Sequence, residues 1–337
     1  MKLSLMPFKL ENKTPFKIAH GERRFTETLF VCVEKDGIIG IGEASHVPYY
    51  NIEVADSIKM IESKWAEIAK VWGLDHATFW NKVNDIFEDN HFAKCAVDIA
   101  YYDWKAKKGK KPLWDYLGLR NSNLPSSCFT IGMKDLKLMS EEIKSSDFPS
   151  FKIKLGGEND LKTIQDINKI TKKPIKADVN GGWSLEEALE ISNEMDKENL
   201  TFIEQPLSDE SLLQNSILRA KLKTPIFADE SCFTIQDLEE CSHHFDGINI
   251  KLTKCGGVYP ALKMVERARE LNLKLMLGCM TESSVGISTI AHLSSLCDYM
   301  DMDGSTLLKF DPALGVVLEK GLPRFNNRYG HGAVLKN

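Results

Sequence analysis

Residues Ser150–Gly157 read SFKIKLGG. On a β-strand alternate side chains share a face, so Phe151, Ile153 and Leu155 point one way and Lys152 and Lys154 the other. Two ammonium groups on one face make a poor core strand, because each buried and unpaired charge costs several kcal/mol. The flanking sequence repeats the arrangement of apolar strand and charged end. SSCFTIGM (126–133), PIKADVN (174–180), TFIEQP (201–206), PIFADES (225–231), GINIKL (247–252), KLMLGCM (274–280) and YMDMDG (299–304) are further β-rich segments. Between them lie stretches of helical period such as SLEEALEISNEM (184–195) and VYPALKMVERARELN (258–272). Their apolar residues recur at i, i+3 and i+4, and Ser184 with Glu187 forms a capping box. Eight strands in strict alternation with seven helices predict an α/β fold, a parallel (β/α)7β TIM-like barrel over residues 121–304.

Residues 1–120 have a different pattern. FVCVEKDGIIGIGE (30–43) predicts a hairpin turning at Lys35-Asp36-Gly37, followed by helices over 55–70 and 92–108. This is an α+β capping domain. The glycine-punctuated stretch 305–337 contains no further βα unit and is expected to return to that domain.

The chain has 337 residues, 43% of them hydrophobic, and a formal charge of −5. That is enough apolar material for two domains, and it gives no general field for nucleic acid or acidic membranes. No run approaches the roughly 18 apolar residues of a membrane helix, and MKLSLMPFKLENK lacks the apolar stretch of a signal peptide. Eight scattered cysteines with no CxxC pair fit reduced thiols. A cytoplasmic protein is expected, with a homo-oligomer left open.

Barrel active sites are built at the C-terminal ends of the strands. Those ends carry Lys152 and Lys154, then Asp178 and Asn180, Glu204, Asp229 and Glu230, Lys251, Cys279, and Asp301 with Asp303. Charges on a solvated surface have no reason to follow each strand end in turn, which argues against a purely structural barrel. Asp178, Glu204 and Asp229 fall on three consecutive strands, so three carboxylates converge and need a cation. All-oxygen ligation favours Mg²⁺ or a similar hard ion. Lys154 and Lys251, on strands two and six of eight, face each other across the mouth. Asp301 and Asp303 share a face expected to lie opposite Glu204, where they suit a cationic group at the far end of a substrate. The chemistry that fits is proton abstraction next to a carboxylate, with Lys152 binding the anion and helping to depress the pKa of Lys154.

The chain resembles the enolase superfamily, muconate-lactonizing subgroup, over nearly its whole length. GIIGIGEAS (37–45) and AKCAVDIAYYDWKAKKGKKPLWDYLG (93–118) resemble the capping domain, and KIK, DVNGGW, IEQP, ADES and NIKLTKCGG the barrel. The resemblance implies Asp178, Glu204 and Asp229 as Mg²⁺ ligands and Lys154 and Lys251 as the acid/base pair. DMDG (301–304) resembles the DxD of dipeptide epimerases of the Ala-Glu type, in which the pair holds the dipeptide α-ammonium. Thr130, Lys152, Cys279 and Thr281 are then implied as further substrate contacts. Two opposed lysines suit a 1,1-proton transfer at the α-carbon of the C-terminal residue, through an enediolate. By the same resemblance Lys251 serves the L configuration and Lys154 the D.

One departure concerns the loop PFKIAHGERRF (15–25), where Gly21 stands nearest the arginine often found in Ala-Glu members. Arg23 or Arg24 is expected to meet an acidic side chain instead, with Tyr49 and Tyr50 as neighbours. Gly256 and Gly257 open a helix and read equally as an anion cradle or a tight loop. His243 and His244 read as the end of a helix, and Trp183 as packing. The rival enzymes, N-acylamino acid racemase, o-succinylbenzoate synthase and cycloisomerase, take substrates without a free ammonium, against which Asp301 and Asp303 argue. A non-catalytic ligand-binding barrel is the remaining alternative.

Overall fold

The computed structural model describes residues 1–19, 21–195 and 199–336, with the backbone alone over 192–195. Three antiparallel strands open the chain: β1 (Lys2–Ile18), β2 (Gly21–Lys35) and β3 (Ile38–His46). The β2–β3 turn places Asp36 and Gly37 at φ 55° and 72°, the left-handed geometry that suits a two-residue hairpin. Helices α1 (Val54–Val71), α2 (His76–Phe87), α3 (His91–Lys108) and α4 (Leu113–Tyr116) follow. Helix α3 packs directly on β3. A Cβ on Gly42 would lie 1.9 Å from Ala96 O, and one on Gly40 2.1 Å from Ala100 O. The alternate glycines of GIIGIGE are therefore the seat of that helix. Helix α2 has no counterpart among the expected elements.

The barrel strands are β4 (Phe129–Ile131), β5 (Phe151–Lys154), β6 (Ile175–Asp178), β7 (Leu200–Glu204), β8 (Ile226–Ala228), β9 (Gly247–Lys251), β10 (Lys274–Gly278) and β11 (Tyr299–Asp301). They form one sheet in chain order, each pair parallel. A parallel bridge from Ser127 to Met300 closes it, with Cys128 N donating to Met300 O at 3.3 Å. The crossovers are α5 (Leu136–Ser145), α6 (Asp160–Ile170), α7 (Leu185–Met195), α8 (Leu212–Lys221), α9 (Leu238–His244), the pair α10 (Leu252–Cys255) and α11 (Val258–Glu270), and α12 (Ser284–Ala291). Ser184 and Glu187 cap α7 reciprocally, at 2.9 and 3.3 Å. His244 ends α9 between Glu240 and Ser216, and Trp183 donates its indole N–H to Asp160.

The C-terminal segment divides between two places. Strands β12 (Ala313–Leu314) and β15 (Val334–Leu335) pair, and Ala313 and Ala333 pack against Phe30, Ile41 and Val285. His331 Nε2 lies 2.8 Å from Ile41 O, and the His331 backbone N–H donates to Asp103 Oδ1. The hairpin β13 (Val317–Glu319) and β14 (Leu322–Arg324) instead sits at the N-terminal mouth of the barrel, where Ser127 N donates to Gly321 O. Among the described residues no helix is long and apolar enough to cross a membrane. All eight cysteines are free.

Candidate active site

Strand register sets the site. Lys154, Asp178 and Glu204 are directly opposite one another on β5, β6 and β7, and Lys251, Gly278 and Asp301 on β9, β10 and β11. Asp229 follows β8 by one residue. In-register neighbours of a parallel sheet share a face, so these charges meet inside one mouth.

The two lysines of SFKIKLGG are buried and paired. Lys152 Nζ, 1% exposed, lies 2.9 Å from Asp178, 2.8 Å from Glu204 and 2.7 Å from Asp301. Burial opposes its charge, but Asp178, Asp301 and Glu204 together outweigh that and hold its pKa well above the usual lysine value. Lys154 Nζ donates to Asp178 at 2.6 Å and to Asn180 at 3.1 Å. Lys152 meets three carboxylates at once. It is the counter-ion at the centre of the carboxylates.

Across the mouth, Lys251 Nζ lies 2.6 Å from Asp229 Oδ2. Burial lowers the Lys251 pKa, and Asp229 more than reverses this. Lys254, from α10, holds the other oxygen of Asp229 at 2.6 Å. Asn249 donates to Glu204 Oε1 at 2.8 Å from the neighbouring strand. Gly278 makes room for it, since a Cβ there would lie 2.4 Å from Asn249 Oδ1. Gln205 accepts hydrogen bonds from Asp229 N and Ser231 N and so shapes the turn that carries Asp229.

Burial and the Asp178 charge push the Glu204 carboxyl up to about 7. Asp301, despite its burial, is held down to about 2 by Lys152, whereas burial and Asp301 push Asp303 up to about 7. Asp303 is anchored by Thr130, through the backbone N–H at 2.6 Å and the hydroxyl at 3.0 Å. Asp301 on β11 and Glu204 on β7 stand four strands apart, on opposite sides of the ring. Barrel closure puts β11 next to β4 and two strands from β5, so Asp301 and Glu204 share the Lys152 ammonium. Asp303 is the member of the pair that no lysine holds among the described ion pairs.

A cleft over this floor is lined by Thr130, Lys152, Lys154, Lys251, Asp301 and Asp303, and by Cys279 and Thr281 on one wall. The capping domain supplies Phe16, Arg23, Tyr49 and Tyr50 as its roof. Arg24 is corrected. Adjacent residues on β2 point to opposite sides, and Arg24 is 79% exposed beside Glu22, outside that cleft.

Asp178, Glu204 and Asp229 are the groups that could hold a metal. Among the described residues no three such side chains are closed around one point as they stand, because Lys152, Lys154 and Lys251 meet their inner oxygens. The donor chemistry nevertheless fits a hard divalent cation: oxygen only, from adjacent strands, with Glu204 Oε2 lacking any well-angled hydrogen bond although Lys152 is 2.8 Å away.

Residues 3–118 match the family described as "Mandelate racemase / muconate lactonizing enzyme, N-terminal domain", and residues 135–329 match "Enolase C-terminal domain-like". The chain belongs to the mandelate racemase/muconate-lactonizing enzyme family of the enolase superfamily. Within it, the chain is 38% identical to an L-Ala-D/L-amino acid epimerase of Flavobacterium johnsoniae, over 99% of this chain and 100% of that one. It is 40% identical to an L-Ala-D/L-amino acid epimerase of Maribacter sp., over 99% of each. Among solved structures it superposes on the dipeptide epimerase from Cytophaga hutchinsonii complexed with Mg and D-Ala-L-Val, with a TM-score of 0.91 and 26% identity, covering 99% of this chain and 95% of that one.

Sequence reasoning missed Asn249, Lys254, Gln205 and Gly278. Asn249 and Lys251 both carry polar groups at alternate positions of GINIKL, the same signal that singled out Lys152 and Lys154. Lys254 sits on a helical turn after the strand, where a lysine ordinarily reads as solvated.

Proposed function

We propose that the protein is a Mg²⁺-dependent dipeptide epimerase that inverts the α-carbon of the C-terminal residue by proton transfer between Lys154 and Lys251. The observation that carries this reading is the placement of two lysines, each held by a different carboxylate, on β5 and β9, four strands apart around one mouth. The likeness to epimerases named for L-Ala-D/L-amino acid substrates supports the dipeptide as substrate class.

Asp178, Glu204 and Asp229 would hold the ion. Bound there, it takes up the negative charge that grows on the substrate carboxylate as the α-proton leaves. Lys152 supplies a fixed positive charge beside the same oxygens and needs no rearrangement to do so. One of the two opposed lysines removes the α-proton to give the enediolate, and the other returns a proton to the opposite face. A base must be neutral, and the carboxylate that keeps Lys251 charged is also a ligand candidate, so ligation and deprotonation of Lys251 are linked. Asp303, anchored by Thr130 and without a lysine partner among the described ion pairs, receives the dipeptide ammonium. Arg23, in the roof of the cleft, pairs with the side chain when the C-terminal residue is acidic. Eight free cysteines support a cytoplasmic setting.

The test is incubation with a panel of L,L-dipeptides in deuterated water, with magnesium or with EDTA. Mass increase and appearance of the L,D isomer only with magnesium are expected. N-acetylated substrates processed better than free dipeptides would overturn the assignment in favour of an acylamino acid racemase.

A further inference from the structure

Lys254 is a buried ammonium that the two-base reading leaves unused. It stands on α10, three residues past Lys251, and is 1% exposed. Its Nζ lies 2.6 Å from Asp229 Oδ1, 2.5 Å from Asp229 O and 3.0 Å from Cys232 O. Lys251 takes Asp229 Oδ2 at 2.6 Å. One carboxylate is therefore held at both oxygens, by one lysine that lines the cleft and one that does not.

The capping domain fixes the turn from which Lys254 reaches. Gly256, at φ 100°, ends α10, and a Cβ there would lie 2.8 Å from Trp80 Cη2 of α2 and 3.3 Å from Lys94 Cβ of α3. Gly257, at φ 134°, lies against Asp98 of α3, whose carboxylate accepts from Val258 N at 2.6 Å and Tyr259 N at 3.1 Å. The anion at this glycine pair is thus the protein's own Asp98. Lys154, by contrast, is oriented by Asp178 and Asn180 and, among the described residues, donates to no group of this turn.

We propose that Lys254 is a positioning residue. Resting on the two-base reading, it pins Asp229 so that only Oδ2 serves the cleft, and it thereby sets the geometry of the Lys251 face and not that of Lys154. Removing its charge has two opposite consequences. Asp229 presents more negative charge to a cation, because a like charge beside it is gone. Lys251 loses the fixed partner that aims it. A general packing defect would instead weaken the metal site and slow both faces together.

Lys254→Met keeps the volume of the stem, and Lys254→Gln retains a donor for the Asp229 and Cys232 carbonyls should the first variant fail to fold. Magnesium binding is measured by calorimetry, and deuterium uptake is measured from each epimer separately. The expected result is magnesium bound at least about threefold more tightly, on the like-charge argument. Exchange from the epimer that presents its α-proton to Lys251 falls at least about tenfold further than exchange from the other, the cost of a misplaced reacting group. Equal losses on both faces, or unchanged or weaker magnesium binding, would overturn the proposal. A wild-type protein that exchanges no dipeptide proton would sink the epimerase reading, while calorimetry would still judge the role of Lys254.

Discussion

The Lys152 ammonium lies 2.8 Å from Glu204 Oε2, inside the barrel and almost wholly buried at the floor of the cleft. The same nitrogen neutralises Asp178 and Asp301, so one internal cation keeps three buried acids compatible with folding. Lys152→Met should take the close counter-charge from Glu204 and Asp301, while Asp178 keeps Lys154, and lower stability by about 3–5 kcal/mol, the usual result of breaking a buried pair from one side. Magnesium should restore part of that loss, because a ligand that binds only the folded state stabilises it. Urea unfolding with EDTA and with magnesium checks this. Equal destabilisation in both would mean that the carboxylates do not take up a cation.

Asp303→Asn should lower kcat/KM for free dipeptides by about 10- to 100-fold, the worth of a charge-assisted hydrogen bond. Magnesium affinity should hardly change, since Asp303 is bonded to Thr130 and not to the three candidate ligands. Steady-state kinetics and calorimetry on one preparation separate the two effects. A large loss of magnesium affinity would place Asp303 in the metal site.

Much of this arrangement was legible in the sequence because a parallel barrel has a simple grammar. Strand ends face one mouth, and strand number gives angular position, so SFKIKLGG, DVNGGW, IEQP and NIKL could be set around a ring. Two kinds of information were not legible. Distances across the barrel depend on its closure, which lets Lys152 of β5 reach Asp301 of β11 and Glu204 of β7 at once. Contacts between domains depend on docking, so nothing in CGG announced that Asp98 would cap α11, nor in GEAS that Glu43 would accept from Ser283 and Gly286 at the start of α12. Arg23 and Arg24 could not be told apart without knowing which face of β2 looks inward.

Arg23→Ala should lower kcat/KM for dipeptides ending in Glu or Asp by about tenfold or more, and for apolar dipeptides much less, since only an acidic partner pairs with a guanidinium. Arg24→Ala should stay near wild type, because its side chain lies outside the cleft. A competition assay with mixed dipeptides measures both. Equal losses for acidic and apolar substrates would remove Arg23 from the specificity account.

Glu282 lies at the junction of barrel and cap, and burial and the neighbouring Glu43 push its carboxyl up to about 8. The folded state therefore holds this proton more tightly than the unfolded chain, whose glutamates titrate near about 4.3. The resulting stabilisation is complete at and below about pH 4 and is lost as pH rises through about 8. Glu282→Gln, neutral at every pH, should flatten the fall in stability across that window by up to a few kcal/mol. Urea titrations at several pH values between those limits provide the comparison. An unchanged slope would show that Glu282 is ionised in the folded protein.

The most direct test of the two-base account concerns Lys154 and Lys251 singly. In Lys154→Ala, an L,L-dipeptide should still lose and regain its α-proton at Lys251, taking up deuterium slowly while inversion stops. Lys251→Ala should give the mirror result with the L,D isomer. Isomer-resolved mass spectrometry in deuterated water, on variants shown to be folded and to bind magnesium, reads exchange and inversion separately. The account predicts that the two come apart in each variant, with exchange confined to one epimer. A single variant that still epimerises near the parent rate, or loss of all exchange in both, would contradict it.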